Sequence, residues 1–208
     1  MQADLGRIFS RSYDIFRQEM GLLLGVAVTC GAVSIVNNIV DRATEDAHDG
    51  GVILFSLGVS LILNLLQAFL LIGQTRISLK LLRGESATYN DLFSGGDKFL
   101  PVIGFYLLIF IPLTLGFLLL IIPGILLALY FWPAFTLIID YKTGVFESFG
   151  VAGEIGGQNL LNSFLLALAS LGLMIAGVLA FCVGFFFAAA FVSVLWAAAY
   201  LMMSGQMQ

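Results

Sequence analysis

The 208-residue chain is 60% hydrophobic and 11% charged, with a mean hydropathy of +1.04, whereas charged residues make up about 25% of ordinary soluble domains. That balance excludes a soluble globular domain and defines an integral membrane protein. The net charge is −4, and no basic face of the kind nucleic-acid binding requires is present.

Residues 4–18 place Leu5, Ile8, Phe9, Ser12, Ile15 and Phe16 on one helical face and Arg7, Arg11, Asp14 and Gln18 on the other. This predicts a helix lying in the membrane interface, with Arg7, Arg11 and Arg17 at the surface, each contributing about 1 kcal/mol near anionic lipid. The segment is too long and too mixed for a signal-peptide n-region, and Thr29 makes Ala27-Val28-Thr29-Cys30 a poor lipoprotein cleavage site.

A first charge-free span covers about 20–40 and ends in the acidic stretch 41–49, which holds His48, the one histidine of the chain. A divalent-metal site and a solvated loop are the two readings there; no second His or Cys lies nearby to favour the metal. The second span, about 52–73, carries Ser56, Ser60, Asn64, Gln67, Gln74 and Ser78 along one helical stripe, and Cys30, Ser34 and Asn37 answer it from the first span. Asn37, Ser60, Asn64, Gln67 and Gln74 are therefore the candidate intramembrane polar residues. They serve either as interhelical glue, at about 0.6 kcal/mol a pair, or as the lining of a polar pathway. Arg76, Lys80 and Arg83 follow at three- and four-residue spacing, as expected where a helix meets an anionic surface. Gly84 ends that helix, and 88–93 reads as a short interfacial helix capped by Thr88 with Asp91 and stopped by Gly95-Gly96.

No charge separates Lys98 from Asp140, and a run of that length is about 60 Å of helix, twice a bilayer's hydrocarbon thickness. It must be a hairpin of spans at about 99–120 and 123–140, turning at Pro123-Gly124. Pro112 and Pro133 sit inside these spans, where each removes a backbone hydrogen bond and favours a kink. Asp140 marks either the boundary of the hairpin or a buried functional carboxylate. The glycine-rich stretch 143–157 reads as flexible or partly helical surface. Beyond Glu154 no charged residue remains, so two further spans, about 159–181 and 184–203, turn near Gly184. Ser163, Ala167, Ser170 and Gly177 line one packing stripe of this last pair, and Ala189, Ser193 and Ala197 line another. Cys30 and Cys182 lie in apolar runs, where packing or a disulfide is open to them.

Basic residues orient the spans. Three precede the first, four lie between Arg76 and Lys98, and Lys142 follows the central hairpin, against Arg42 alone in the acidic loop. Both termini are expected in the cytoplasm. The fold expected is thus all-α, a single membrane domain over 1–208 of six transmembrane helices in three hairpins, each preceded by a cytoplasmic interfacial segment. The units 4–73, 88–141 and 143–203 would be parallel repeats, broader on the cytoplasmic side.

At IIPGILLALYFWPAFTLIID followed by Glu147-Ser148, the chain resembles uncharacterised bacterial six-span families, among them the membrane domain joined to glycerophosphoryl diester phosphodiesterases. The likeness runs over about residues 73–200 and rests on Ile122, Pro123, Gly124, Ile125, Asp140 and Ser148. The glycine-rich stretch at 150–157 departs from those families. The resemblance implies six spans in a bacterial inner membrane but no catalytic or binding residue.

The residue inventory argues against catalysis. Phosphodiester hydrolysis wants clustered His and carboxylates, and neither a P-loop, a dinucleotide fingerprint nor a Cys/His metal spacing is present. The expectation is a non-enzymatic scaffold, accessory subunit or membrane-organising element without a cofactor. Its partners would be membrane lipids and a second copy or another membrane protein. The alternative is a small transporter or lipid-handling protein with a polar pathway between the first two spans.

Overall fold

The computed structural model describes residues 4–45, 48–141, 144–180 and 183–207. Among these the secondary structure is helical: α1 (Leu5–Gln18), α2 (Met20–Thr44), α3 (Gly50–Leu82), α4 (Gly96–Leu119), α5 (Ile121–Asp140), α6 (Val145–Gln158), α7 (Leu160–Leu179) and α8 (Val183–Met203), with a 3-10 helix at Tyr89–Phe93. Six of them, α2 to α5 with α7 and α8, are long and apolar enough to cross a membrane. Asp46, Lys142 and Cys182 lie outside the described residues, and with them part of the acidic loop, one cation of the orientation argument and the disulfide reading.

Local chemistry explains most boundaries. Asp4 accepts from the Gly6 N–H (2.9 Å) to start α1, and Asp49 accepts from Gly51 and Val52 (2.7 and 3.2 Å) to start α3. Thr88 and Asp91 form a capping box over the 3-10 helix. α3 runs on nine residues past 73, through Gln74, Arg76 and Lys80. It stops where Gly84 adopts φ +77° and Glu85 N–H reaches back to Lys80 C=O (2.9 Å), which is a Schellman closure that needs glycine.

Three expectations need correcting. The central turn is not at Pro123-Gly124 but at Leu120, which is extended (φ −160°, ψ 141°), leaving Pro123 inside the first turn of α5, where its missing N–H costs nothing. Gly184 is likewise inside α8 rather than at the turn, packed against Gly177. Of the flexible and partly helical readings of 143–157 the helical one holds, but the segment is packed rather than free surface: α6 occupies Val145–Gln158, and Gly153, Gly156 and Gly157 press it onto Tyr130 of α5. Its glycines are there for close approach. α4 and α5 are continuous through Pro112 and Pro133.

Neighbours in sequence pack together, α2 on α3, α4 on α5 and α7 on α8. The short elements do something less local. The 3-10 helix docks on α3, α6 docks on α5, and α1 docks on α8, at the other end of the chain. The apolar face of α1 is therefore taken up by protein, with Phe16 edge-on to Phe191 and Phe187, and Phe9 beside Phe191. α3 also packs on α8 and α5. The core gathers where these three helices end, around Ile77, Leu82, Ile138, Leu195 and Tyr200, while the far ends of α3 and α4 expose Leu54, Phe55, Leu115 and Leu118.

Candidate functional site

The polar stripe of α3 does meet α2. Ser34, Asn37 and Asn38 of α2 face Asn64 and Gln67 of α3 around a cavity of about 110 Å³, with Val33 and Leu63 completing the wall. Asp41 ties the two helices together, accepting from Ser60 Oγ (2.6 Å) and from Asn37 Nδ2 (3.3 Å). Asn64 Nδ2 donates one turn back to Ser60 C=O (2.7 Å), and Asn38 Nδ2 to Ser34 C=O (2.8 Å). These donors are thus spent on backbone and carboxylate. The acceptors Asn37 Oδ1 and Gln67 Oε1 are buried with no hydrogen-bond partner among the described residues, a costly state for an amide oxygen unless a donor comes to it.

Asn64 and Gln67 border a second space as well. A cleft of about 340 Å³ between α3 and α4 is lined by them together with Leu65, Ala68, Leu71, Ile103 and Tyr106. A small polar pocket and an apolar slot thus share one wall. Gln74, the fifth candidate, is half-buried, nearer the Arg76 end of α3, and lines neither space.

The cations of α3 are held from within the chain. Arg76 pairs with Asp97 (2.6 Å) and donates to Ser94 C=O (2.6 Å), and Lys80 pairs with Asp91 (2.6 Å). Lys80 and the Thr88 N–H hold the Asp91 carboxyl below its ordinary value. Arg83 grips Asp140 with both terminal nitrogens, each at 2.7 Å, and the Asp140 side chain is only 4% exposed. That hydrogen bond raises the Arg83 guanidinium above its already high value. Tyr200 OH donates to the same carboxylate (3.0 Å), Gln206 Oε1 accepts from Arg83 (2.7 Å), and Gln206 Nε2 donates to Tyr200 OH (3.2 Å). This clasp takes one contributor each from the ends of α3 and α5, and Tyr200 and Gln206 from the end of α8. Asp140 is thereby a buried structural acceptor.

Arg7, Arg11 and Arg17 are exposed on α1, with Arg7 and Arg11 beside Met202 and Met207. Gly124 of α5 packs under Phe117, so the Pro123-Gly124 pair supports the α4–α5 contact. Ser163 and Ser170 of the α7 stripe accept from the indoles of Trp132 (3.0 Å) and Trp196 (3.1 Å).

Sequence reasoning missed four participants. Asp41 read as loop although it lies one helical turn beyond Asn37; Asn38 lies off the strict stripe. Tyr200 and Gln206 gave no signal, because the charged partners they meet, Asp140 and Arg83, are 60 and 123 residues away. Among the described residues no group of three or more His, Cys, Asp and Glu is placed to hold a metal ion. Compared with protein-family models, curated proteins and solved structures, the chain matches none of the three.

Proposed function

We propose that the chain is a non-enzymatic protein of the bacterial inner membrane, with both termini cytoplasmic, that serves as a scaffold or accessory subunit. Three hairpins, each led by a short interfacial segment, would form a closed ring of parallel repeats related to the six-span families named above. Supporting this is the cyclic docking of the short elements: the 3-10 helix on α3, α6 on α5, and α1 back onto α8. Each leader sits on the outgoing helix of the unit before it, with the first closing onto the last. A further parallel is that α1–α2 and α6–α7 are each broken by one residue of similar conformation, Glu19 (φ −113°, ψ 27°) and Asn159 (φ −120°, ψ 23°).

A second reading, lipid handling, is favoured by one observation, the pair of buried acceptors Asn37 Oδ1 and Gln67 Oε1 beside an apolar slot. Asn64→Leu with Gln67→Leu separates the two. A scaffold using this stripe as glue loses assembly on native gels. If assembly survives and a growth or lipid-composition phenotype appears, the scaffold reading is refuted.

A further inference from the structure

We infer that the pocket between α2 and α3 and the slot between α3 and α4, which share Asn64 and Gln67 as lining, together form a binding site for a neutral lipid with a hydroxyl head, of the acylglycerol class. The inference rests on the lipid-handling reading and gives it a ligand.

The head follows from the polar atoms. Asn37 Nδ2 is committed to Asp41, which fixes the amide and directs Oδ1 elsewhere. Together with Gln67 Oε1 it offers two buried acceptors, so the missing groups are donors. A phosphate or carboxylate head brings none and would meet amide oxygens and the Asp41 carboxylate. An ammonium head would set a full charge against two neutral amide oxygens, with its counter-charge left to Asp41, which is exposed and held by Ser60 and Asn37. Two hydroxyls on adjacent carbons satisfy both acceptors without charge.

Size and depth agree. The 110 Å³ pocket is smaller than the roughly 150 Å³ cavity that takes a benzene ring, which suits the free end of a glycerol. Gln67 stands nine residues before Arg76, about 13 Å of helix from the Arg76–Asp97 pair, near half of the ~30 Å hydrocarbon thickness. A charged head is costlier at that depth than a hydroxyl that finds acceptors there. The acyl chain would lie in the 340 Å³ slot along Leu65, Ala68, Leu71 and Ile103, which begins at the same Asn64 and Gln67.

The test uses the full chain in nanodiscs and three probes sharing one diazirine-bearing acyl chain, with a glycerol, a primary amine or a phosphate monoester as head. Photolysis and peptide mapping should show the glycerol probe labelling the α3 and α4 residues around 65–71 and 103–106, competed by unlabelled 1-oleoylglycerol, with the other heads at background. Asn37→Leu with Gln67→Leu should reduce labelling about tenfold, as expected for two lost hydrogen bonds. Ala68→Phe, which fills the slot and leaves both amides, should do the same if the amide variant fails to fold. Gln67→Glu should move the preference to the amine probe. Labelling by the phosphate or amine probe at this segment of the unaltered chain overturns the hydroxyl assignment and leaves lipid handling standing. Labelling by none of the three, or by all alike and insensitive to the variants, overturns both.

Discussion

Two glycines of α6 should respond to the same substitution with opposite signs. A Cβ added at Gly156 would lie 2.1 Å from the Tyr130 carbonyl oxygen and 2.9 Å from its carbon, whereas one added at Gly150 meets nothing within 4 Å. The contact at Gly156 is with backbone in the middle of α5, so no rotamer change relieves it. Restoring van der Waals distance moves α6 away from α5 by about 1 Å, and Gly153 and Gly157, whose Cβ positions stand 3.0 Å from the Tyr130 ring, then lose their packing. Overpacking of this kind costs about 1–3 kcal/mol. Gly150→Ala removes backbone freedom from the unfolded chain at a helical site and should stabilise by about 0.5–1 kcal/mol. Detergent-solubilised protein, unfolded by increasing mole fraction of SDS and followed by tryptophan fluorescence, reports both. Trp132 lies on α5 and donates to Ser163 of α7, so the signal tracks the affected region. Equal effects of the two substitutions, or a Gly156→Ala that leaves the midpoint unchanged, would refute close backbone packing as the reason for the glycine-rich stretch.

Asp140→Asn should be the more damaging half of the clasp, because it leaves the Arg83 cation and the Tyr200 hydroxyl short of their acceptor. With Arg83 at 36% side-chain exposure, solvent recovers part of the loss, and about 1–3 kcal/mol is expected. A double-mutant cycle with Arg83→Gln should give a coupling of about 1 kcal/mol or more; additive effects would refute the pairing. The Lys80–Asp91 contact should fail in acid. The lowered Asp91 carboxyl contributes stability above the ordinary carboxylate range, and that contribution disappears as pH falls through its lowered value. The loss should be below about 1 kcal/mol at this partly exposed pair, and Asp91→Asn should abolish that pH dependence in hydrogen exchange of 88–93. Ser170→Ala should cost about 1 kcal/mol through the Trp196 indole it leaves without an acceptor; an unchanged SDS midpoint would count against that bond.

Much of the local structure was legible because its causes are local. Gly84 stops a helix through its own backbone, and the Thr88 and Asp91 capping box was predicted from a three-residue spacing, whereas Asp49, read as part of a loop, starts α3 with its own side chain. The α3 stripe was legible for the same reason, being a periodicity within one helix. The glycines of α6 misled, because glycine looks alike whether it serves flexibility or close approach. The central turn was placed three residues late, because the extended backbone of Leu120 leaves no mark in an unbroken apolar run.

The length of the charge-free runs alone determined that the chain carries six helices long and apolar enough to cross a membrane, since a count of apolar residues needs no knowledge of neighbours. The tertiary structure alone decided that α1 closes onto α8, that Arg83, Asp140, Tyr200 and Gln206 converge, and that the side-chain oxygens of Asn37 and Gln67 are left without a partner among the described residues. Each depends on the relative rotation and height of separate helices, as where Phe16 of α1 meets Phe187 and Phe191 of α8. Such distances are properties of the packed chain and leave no period or motif within any one segment.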